Sequence, residues 1–168
     1  PEAAGWEDQR RSVARIVVNG NDHCTGALIN NTGNDATPYF LTANHCLTGN
    51  VSNWVFWFNW ESPACNPTQN SSYDGVSGST LLASCSSSDF ALLELSQEVP
   101  LEYNPYYAGW SAVNTAPTSA VGIHHPSGDI KKWSYDGDAS VSSAWGGWGN
   151  SGTNTHWEVL DWDIGTTE

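Results

Sequence analysis

Methionine is absent from the sequence, and the chain opens on Pro1. A chain without an initiator residue is expected to have been cut from something longer, and no basic-then-apolar leader stands at its start. Positive charge is scarce: five Lys and Arg stand against 18 Asp and Glu, for a net charge of -13. Such a chain repels phosphate backbones and anionic headgroups, so neither nucleic acid nor membrane is an expected partner. Apolar runs of about 18 residues, which a spanning helix needs, do not occur. No two cysteines have C-x-x-C spacing, which argues against a zinc ribbon or a redox pair. Sustained helical periodicity is missing too, so helix is expected to be minor, about one turn near Asn44–Leu47. No repeat of solenoid or propeller length appears.

What is present points to a β protein. The 168 residues suit one domain, or two small halves sharing a core. An even four cysteines, Cys24, Cys46, Cys65 and Cys85, favour disulfides formed in an oxidising extracellular or periplasmic compartment. Ten Trp, many Ser, Asn, Gly and Thr, and few charges fit a secreted β-rich chain. Asn30-Asn31-Thr32, Asn50-Val51-Ser52 and Asn70-Ser71-Ser72 match the glycosylation sequon, which matters only in a eukaryotic secretory pathway. Short β-type runs recur at Val13–Val18, Thr25–Ile29, Tyr39–Thr42, Trp54–Asn59, Ser79–Ala83 and Phe90–Leu95. They resume at Ala120–His124, Ile130–Tyr135, Ala139–Ser143 and His156–Trp162. Turn-rich clusters, among them Ser62–Gly78, separate them, and the spacing predicts an all-β barrel or sandwich. Residues 1–12 read as a polar lead-in. Residues 98–110, rich in Pro and aromatics, read as a crossing between two β halves.

The stretch YFLTANHCL, residues 39–47, ends an apolar run in His45 set directly against Cys46. Cys24 and Cys46 bracket a strand, a turn and a second strand. A disulfide between them would restrain the backbone around the imidazole, as general-base chemistry requires. In SSSDFALLEL, residues 86–95, Asp89 opens a strand whose Phe90, Leu92, Leu93 and Leu95 are candidates for burial. A carboxylate in that position needs a partner, and His45 is the natural one. Accepting from the imidazole, Asp89 would fix its tautomer and stabilise the imidazolium. A lone His-Cys pair after a strand is more often structural, and it is the Asp89 strand that turns the reading toward catalysis.

Together, CTGALINN, YFLTANHC and SSSDFALLEL resemble the bacterial secreted serine proteases of the lysyl-endopeptidase type, within the chymotrypsin-like superfamily. The T-A-x-H-C box resembles the catalytic-histidine box, and D-F-x-L-L-E-L the catalytic-aspartate strand. GIHHPSGDIKKWS and AWGGWGNSGTNTHWEVLDWDIGTTE are similar as well, so the resemblance covers roughly residues 13–168. It implies an all-β, chymotrypsin-like double six-stranded β-barrel. The first barrel would span 13–97, and 111–168 would form part of a second barrel that is incomplete in this chain. It also implies His45 as general base, Asp89 as its orienting carboxylate, and Trp145 along the substrate groove; a surface aromatic on a mobile loop is the plain alternative for Trp145. No cofactor and no metal are implied. The substrates would be proteins or peptides, with Lys preference typical of the family, and the location extracellular.

The family order is His, Asp, Ser, with the serine in a G-x-S-G-x-P turn expected just after DIGTTE, where this sequence stops. The expected partner is therefore a C-terminal fragment of the same precursor carrying the nucleophilic Ser. Without it an apolar face should lie open. Gly149-Asn150-Ser151-Gly152 has the G-x-S-G shape, yet too few residues follow it to wall a substrate pocket; Ser127 is weaker still. ARIVVNG, residues 14–20, mimics a zymogen cleavage site but reads as an ordinary first strand.

The remaining histidines read plainly. His23 reads as a loop residue, and His124-His125 as a turn before Pro126 rather than as ligands, since neighbours on a strand face opposite ways. His156 has no ligand at metal spacing. Cys65 and Cys85 are expected to bridge two strands of the first barrel; family members pair the first of these with an N-terminal cysteine that this chain lacks. Two other functional classes compete: a catalytically inactive protease-fold binding module, and a Trp-rich carbohydrate-binding β-sandwich. The sandwich predicts that His45 and Asp89 lie apart.

Overall fold

Alternating apolar residues build the first half of the molecule, of which a computed structural model describes residues 4–63, 72–144 and 154–165. The strands are β1 (Val13–Val18), β2 (Asn21–Ile29), β3 (Tyr39–Ala43), β4 (Val55–Phe58), β5 (Asp74–Ser77), β6 (Ser79–Cys85) and β7 (Phe90–Leu95). They form one sheet in the order β5-β4-β1-β2-β3-β7-β6, with each neighbouring pair antiparallel. The two ends of that sheet, β5 and β6, are separated in the chain only by Gly78. The sheet therefore closes on itself as a barrel, with the chain bending from one ladder into the other. Gly78 makes the bend at φ +85, a conformation that favours glycine, and an added Cβ would lie 2.8 Å from Ser96 Oγ.

Inward-facing residues fill the barrel. Ile16, Leu28, Phe40, Trp54, Phe56, Val76 and Leu93 are fully buried. Phe40 meets Phe56 edge-on at 4.8 Å between ring centres and Phe58 at 6.5 Å. β4 shows the period-2 logic, with Phe56 and Phe58 inside and Val55 and Trp57 half-buried. β1 departs from it, because Val13 through Val17 are buried on both faces. Its outer face is covered. The Arg15 guanidinium lies 4.3 Å from the ring centre of Trp60 and 4.9 Å from that of Trp57.

The second half is β8 (Ala120–His124) paired with β9 (Lys132–Asp136), and β10 (Val141–Ser143) paired with β11 (His156–Glu158). These are two separate two-stranded ladders among the described residues, not a closed barrel. The half exposes Val113, Leu160 and Ile164. Between the halves, Ala108 bridges Ile29 in parallel, and Trp110 Nε1 donates to the Asn30 carbonyl at 2.9 Å.

Several local readings differ from the sequence expectation; His23, read as a loop residue, lies within β2. The polar lead-in contains a short helix, α1 (Glu7–Ser12), with Glu7 and Asp8 in its first turn and Arg10 and Arg11 in its last, a charge order that suits the helix dipole. The turn-rich stretch 62–78 contains β5, whose Asp-Gly-Val-Ser composition hides a strand held by pairing with β4. The run read as a strand over 156–162 is laddered only to Glu158. A 3₁₀ turn at Asn44–Cys46 falls where one helical turn is expected.

Candidate active site

The ends of β3 and β7 create the site. Their register pairs Ala43 with Phe90, so the residues just past β3 stand beside the residue just before β7. The chain leaves β3 in the Asn44–Cys46 turn, which presents His45. Asp89 has φ 47, in the left-handed region that non-glycine residues seldom occupy outside constrained sites. Its carbonyl accepts from the Asn44 N–H at 3.0 Å.

The carboxylate grips His45 at two points. Oδ1 accepts from the His45 backbone N–H at 2.8 Å, and Oδ2 lies 2.7 Å from His45 Nδ1. The Asp89 side chain is 7% exposed and that of His45 is 45% exposed. A buried carboxylate thus faces one nitrogen of a solvent-reachable ring. With Asp89 ionised, the shared proton belongs on Nδ1, and Nε2 is left to exchange a proton with a second group. The carbohydrate-binding reading required these two residues apart, and their contact removes its premise.

Behind the histidine the backbone is tied down. Cys24 and Cys46 form a disulfide with Cα atoms 6.2 Å apart, which fastens the residue after His45 to β2. Thr42 Oγ1 donates to the Thr25 carbonyl at 2.8 Å, and Thr25 Oγ1 accepts from the His125 N–H at 3.0 Å. This relay couples the second half to the strands that carry His45. Cys24, His45 and Cys46 also bring potential metal-ligating atoms close together, but both sulfurs are bonded to each other and offer no thiolate.

The sequence marks His125 only as part of a turn, and Pro126–Gly128 does form a 3₁₀ turn. The ring has a larger structural role. It is buried, stacks on Trp60 with ring centres 5.8 Å apart, and directs Nδ1 at the Asp129 carbonyl at 3.0 Å. Burial lowers its pKa to about 3; the Asp129 contact opposes that shift, while the charges of Lys131 and Arg15 add to it. A histidine beside a Pro-Ser-Gly turn is the sequence signal that could have found it. Ser127 lies in the same turn at φ 46.

The expected Cys65–Cys85 bridge is corrected from the Cys85 side. Cys85 carries a free thiol 3.1 Å from Ser87 Oγ. Hydrogen bonds from Ser87 and Ser88 pull its pKa down to about 7. Its expected partner Cys65 falls in a stretch outside the described residues, as do Trp145 and Ser151.

With this geometry in hand, similarity to known proteins is informative. The family described as lysyl endopeptidase, C-terminal domain, matches residues 1–168. The lysyl endopeptidase of Pseudomonas aeruginosa is 27% identical over 176 residues, covering 97% of this chain and 36% of that protein. The chain thus spans about a third of that relative's length. Among solved structures, the MamO protease domain from Magnetospirillum magneticum superposes with a TM-score of 0.56 at 10% identity, over 87% of this chain and 69% of that one. The Rv3671c protease in its inactive form gives 0.50 at 16% identity, over 80% of this chain and 55% of that one. At such identities the likeness concerns the fold, which is a chymotrypsin-like double β-barrel with its second barrel incomplete in this chain.

Proposed function

The chain belongs to the lysyl endopeptidase C-terminal domain family, and from that premise we infer that it supplies the general base and orienting carboxylate of a serine endopeptidase. The observation that carries this reading is the two-point hold of Asp89 on His45. In the proposed reaction, His45 Nε2 takes the proton of a serine hydroxyl as that oxygen attacks the scissile carbonyl. Asp89 stabilises the imidazolium so formed, which then protonates the leaving amine, and water resolves the acyl-enzyme by the same exchange.

The serine is assigned to another segment of the same precursor. The length of the Pseudomonas relative beyond its matched part and the exposed Val113, Leu160 and Ile164 support this assignment. The name of that relative supports protein or peptide substrates with Lys at the cleaved bond. The Cys24–Cys46 disulfide supports an oxidising, extracellular location.

The test is hydrolysis of a peptide p-nitroanilide ending in Lys by the full-length protein. His45→Ala should lower kcat by about 10⁶-fold, the scale of a lost catalytic histidine, with the thermal midpoint preserved. Wild-type-like turnover in that variant, or no turnover in the wild type, would reject the endopeptidase reading and leave the inactive binding module.

A further inference from the structure

A cavity of about 310 Å³ lies apart from His45 and Asp89, between α1 and the start of β9. Trp6, Ile123 and Trp133 give it apolar walls, and Arg10, Lys131 and Lys132 also line it. Those three are most of the five cationic side chains in a molecule of net charge -13. Positive charge is rare in this protein, and it converges here.

Two of the three acidic groups nearby, Glu61 and Asp129, are ion-paired with these cations. Glu61, which lines the cavity, is bracketed by Arg10 Nε at 3.4 Å from Oε1 and Lys131 Nζ at 3.5 Å from Oε2. Glu7 accepts from the Gly5 N–H at 2.9 Å, and Asp129 takes Lys132 Nζ at 3.1 Å. The cations retain capacity, because a guanidinium has five N–H donors and an ammonium three. Lys131 is held in place by the Arg10 carbonyl at 2.9 Å, and its side chain is only 3% exposed. Trp133 lines the cavity, with its indole Nε1 buried beneath the surface.

We propose that this cavity is a binding site for an organic carboxylate with an apolar body, the carboxylate taking Arg10 and Lys132 while the body packs on Trp6, Ile123 and Trp133. Aromatic walls with a few placed donors suit an organic acid better than a bare inorganic anion. Two sources share the chemistry, a small free acid and the C-terminal carboxylate of a peptide. Lys131 gives the site a pH dependence. Burial lowers its ammonium pKa to about 8, with Glu61 opposing the shift and Arg10 adding to it. Affinity should therefore weaken as pH rises past that value.

The experiment is a titration of the full chain followed by the indole N–H resonances in a ¹H–¹⁵N spectrum, with the Trp133 signal assigned from Trp133→Phe. Phenylacetate and a short peptide ending in a free Phe carboxylate are the probes; phenylacetamide, the C-terminally amidated peptide and sulfate are the controls. A saturable shift of the Trp133 signal with either carboxylate but with none of the controls is the expected result. Phenylacetate alone would identify a small-acid site, the peptide alone a C-terminus site, and both a site that reads the shared group. Arg10→Gln, at a half-exposed position, should raise the dissociation constant about tenfold through loss of a charge-assisted contact. No saturable shift with either carboxylate, equal shifts with the amides, or unaltered affinity in Arg10→Gln would overturn the proposal.

Discussion

Asp89 holds His45 by both carboxylate oxygens, one on the ring nitrogen Nδ1 at 2.7 Å and the other on the backbone N–H at 2.8 Å. The first contact selects the tautomer. The second fixes the turn from which the ring projects. A single side chain therefore sets both the chemistry and the position of the imidazole, and the left-handed backbone of Asp89 is the conformation that lets it do both.

Asp89→Asn separates these roles. An amide has one acceptor oxygen, so it cannot serve both His45 groups. With its NH₂ facing Nδ1, the ring proton moves to Nε2, and the base is lost. On the proposed function, kcat of the full-length protein should fall about 10⁴-fold, the scale seen for such an exchange in a triad. KM should change little. Parallel measurement of kcat and KM checks this, and a drop in substrate affinity with kcat intact would contradict it.

The Cys24–Cys46 disulfide closes a loop over a sequence separation of 22 residues, and Cys46 is 2% exposed. Replacing both cysteines by Ala should reduce unfolding free energy by about 3 kcal/mol, as loop-closure entropy implies. Urea denaturation of the two proteins measures the difference. The strands themselves should survive, since the rest of the core around Phe40, Phe56 and Leu93 remains in place.

His125 predicts an acid limb in stability. Its folded-state pKa of about 3 lies below the ordinary 6.5, so the fold favours the neutral ring. Between those values the unfolded chain binds the extra proton, and stability must fall as pH drops through that window; above it the contribution is complete. The groups facing the ring are uncharged Thr25 and Trp60, the cations Arg15 and Lys131, His124, and the carboxylate of Asp129. His125→Gln should flatten the dependence of the urea midpoint between pH 6.5 and 3. An unchanged slope would show that other groups set it.

Much of this architecture was legible in residue order. Val13–Val18 and Phe90–Leu95 are strands with the bounds their apolar runs suggest, the first a continuous run buried on both faces and the second an alternating run buried on one. His45 and Asp89 were legible because each sits at the end of such a run. β5 was not, since Asp74-Gly75-Val76-Ser77 has one strong β former and owes its conformation to pairing with β4 across the barrel. The inter-half relay from His125 through Thr25 to Thr42 was hidden for the same reason: its partners are 100 and 17 residues apart. Cys85, a free thiol, shows the limit of cysteine parity, which counts thiols but does not pair them.

Gly26 offers the sharpest test of how rigidly the first barrel supports His45. It lies on β2, two residues after Cys24, facing Phe40 on β3. An added Cβ would overlap the Phe40 ring and come within 2.6 Å of the Leu41 carbonyl oxygen. Neither neighbour can retreat. Phe40 is fully buried against Phe56 and Phe58, and Leu41 is in the β2–β3 ladder opposite Ala27. Gly26→Ala should therefore destabilise the protein by about 3 kcal/mol, the upper range for overpacking. Gly109→Ala, where nothing lies within 4 Å of an added Cβ, is the matched control and should be close to neutral. Because β3 runs directly into the turn bearing His45, the Gly26 variant should also lose kcat under conditions where it remains folded. Urea midpoints and turnover measured together decide the matter: loss of stability alone would mean that the barrel yields around Phe40 without moving the histidine, and no loss of either would mean that β2 and β3 are not packed as closely as their contact implies.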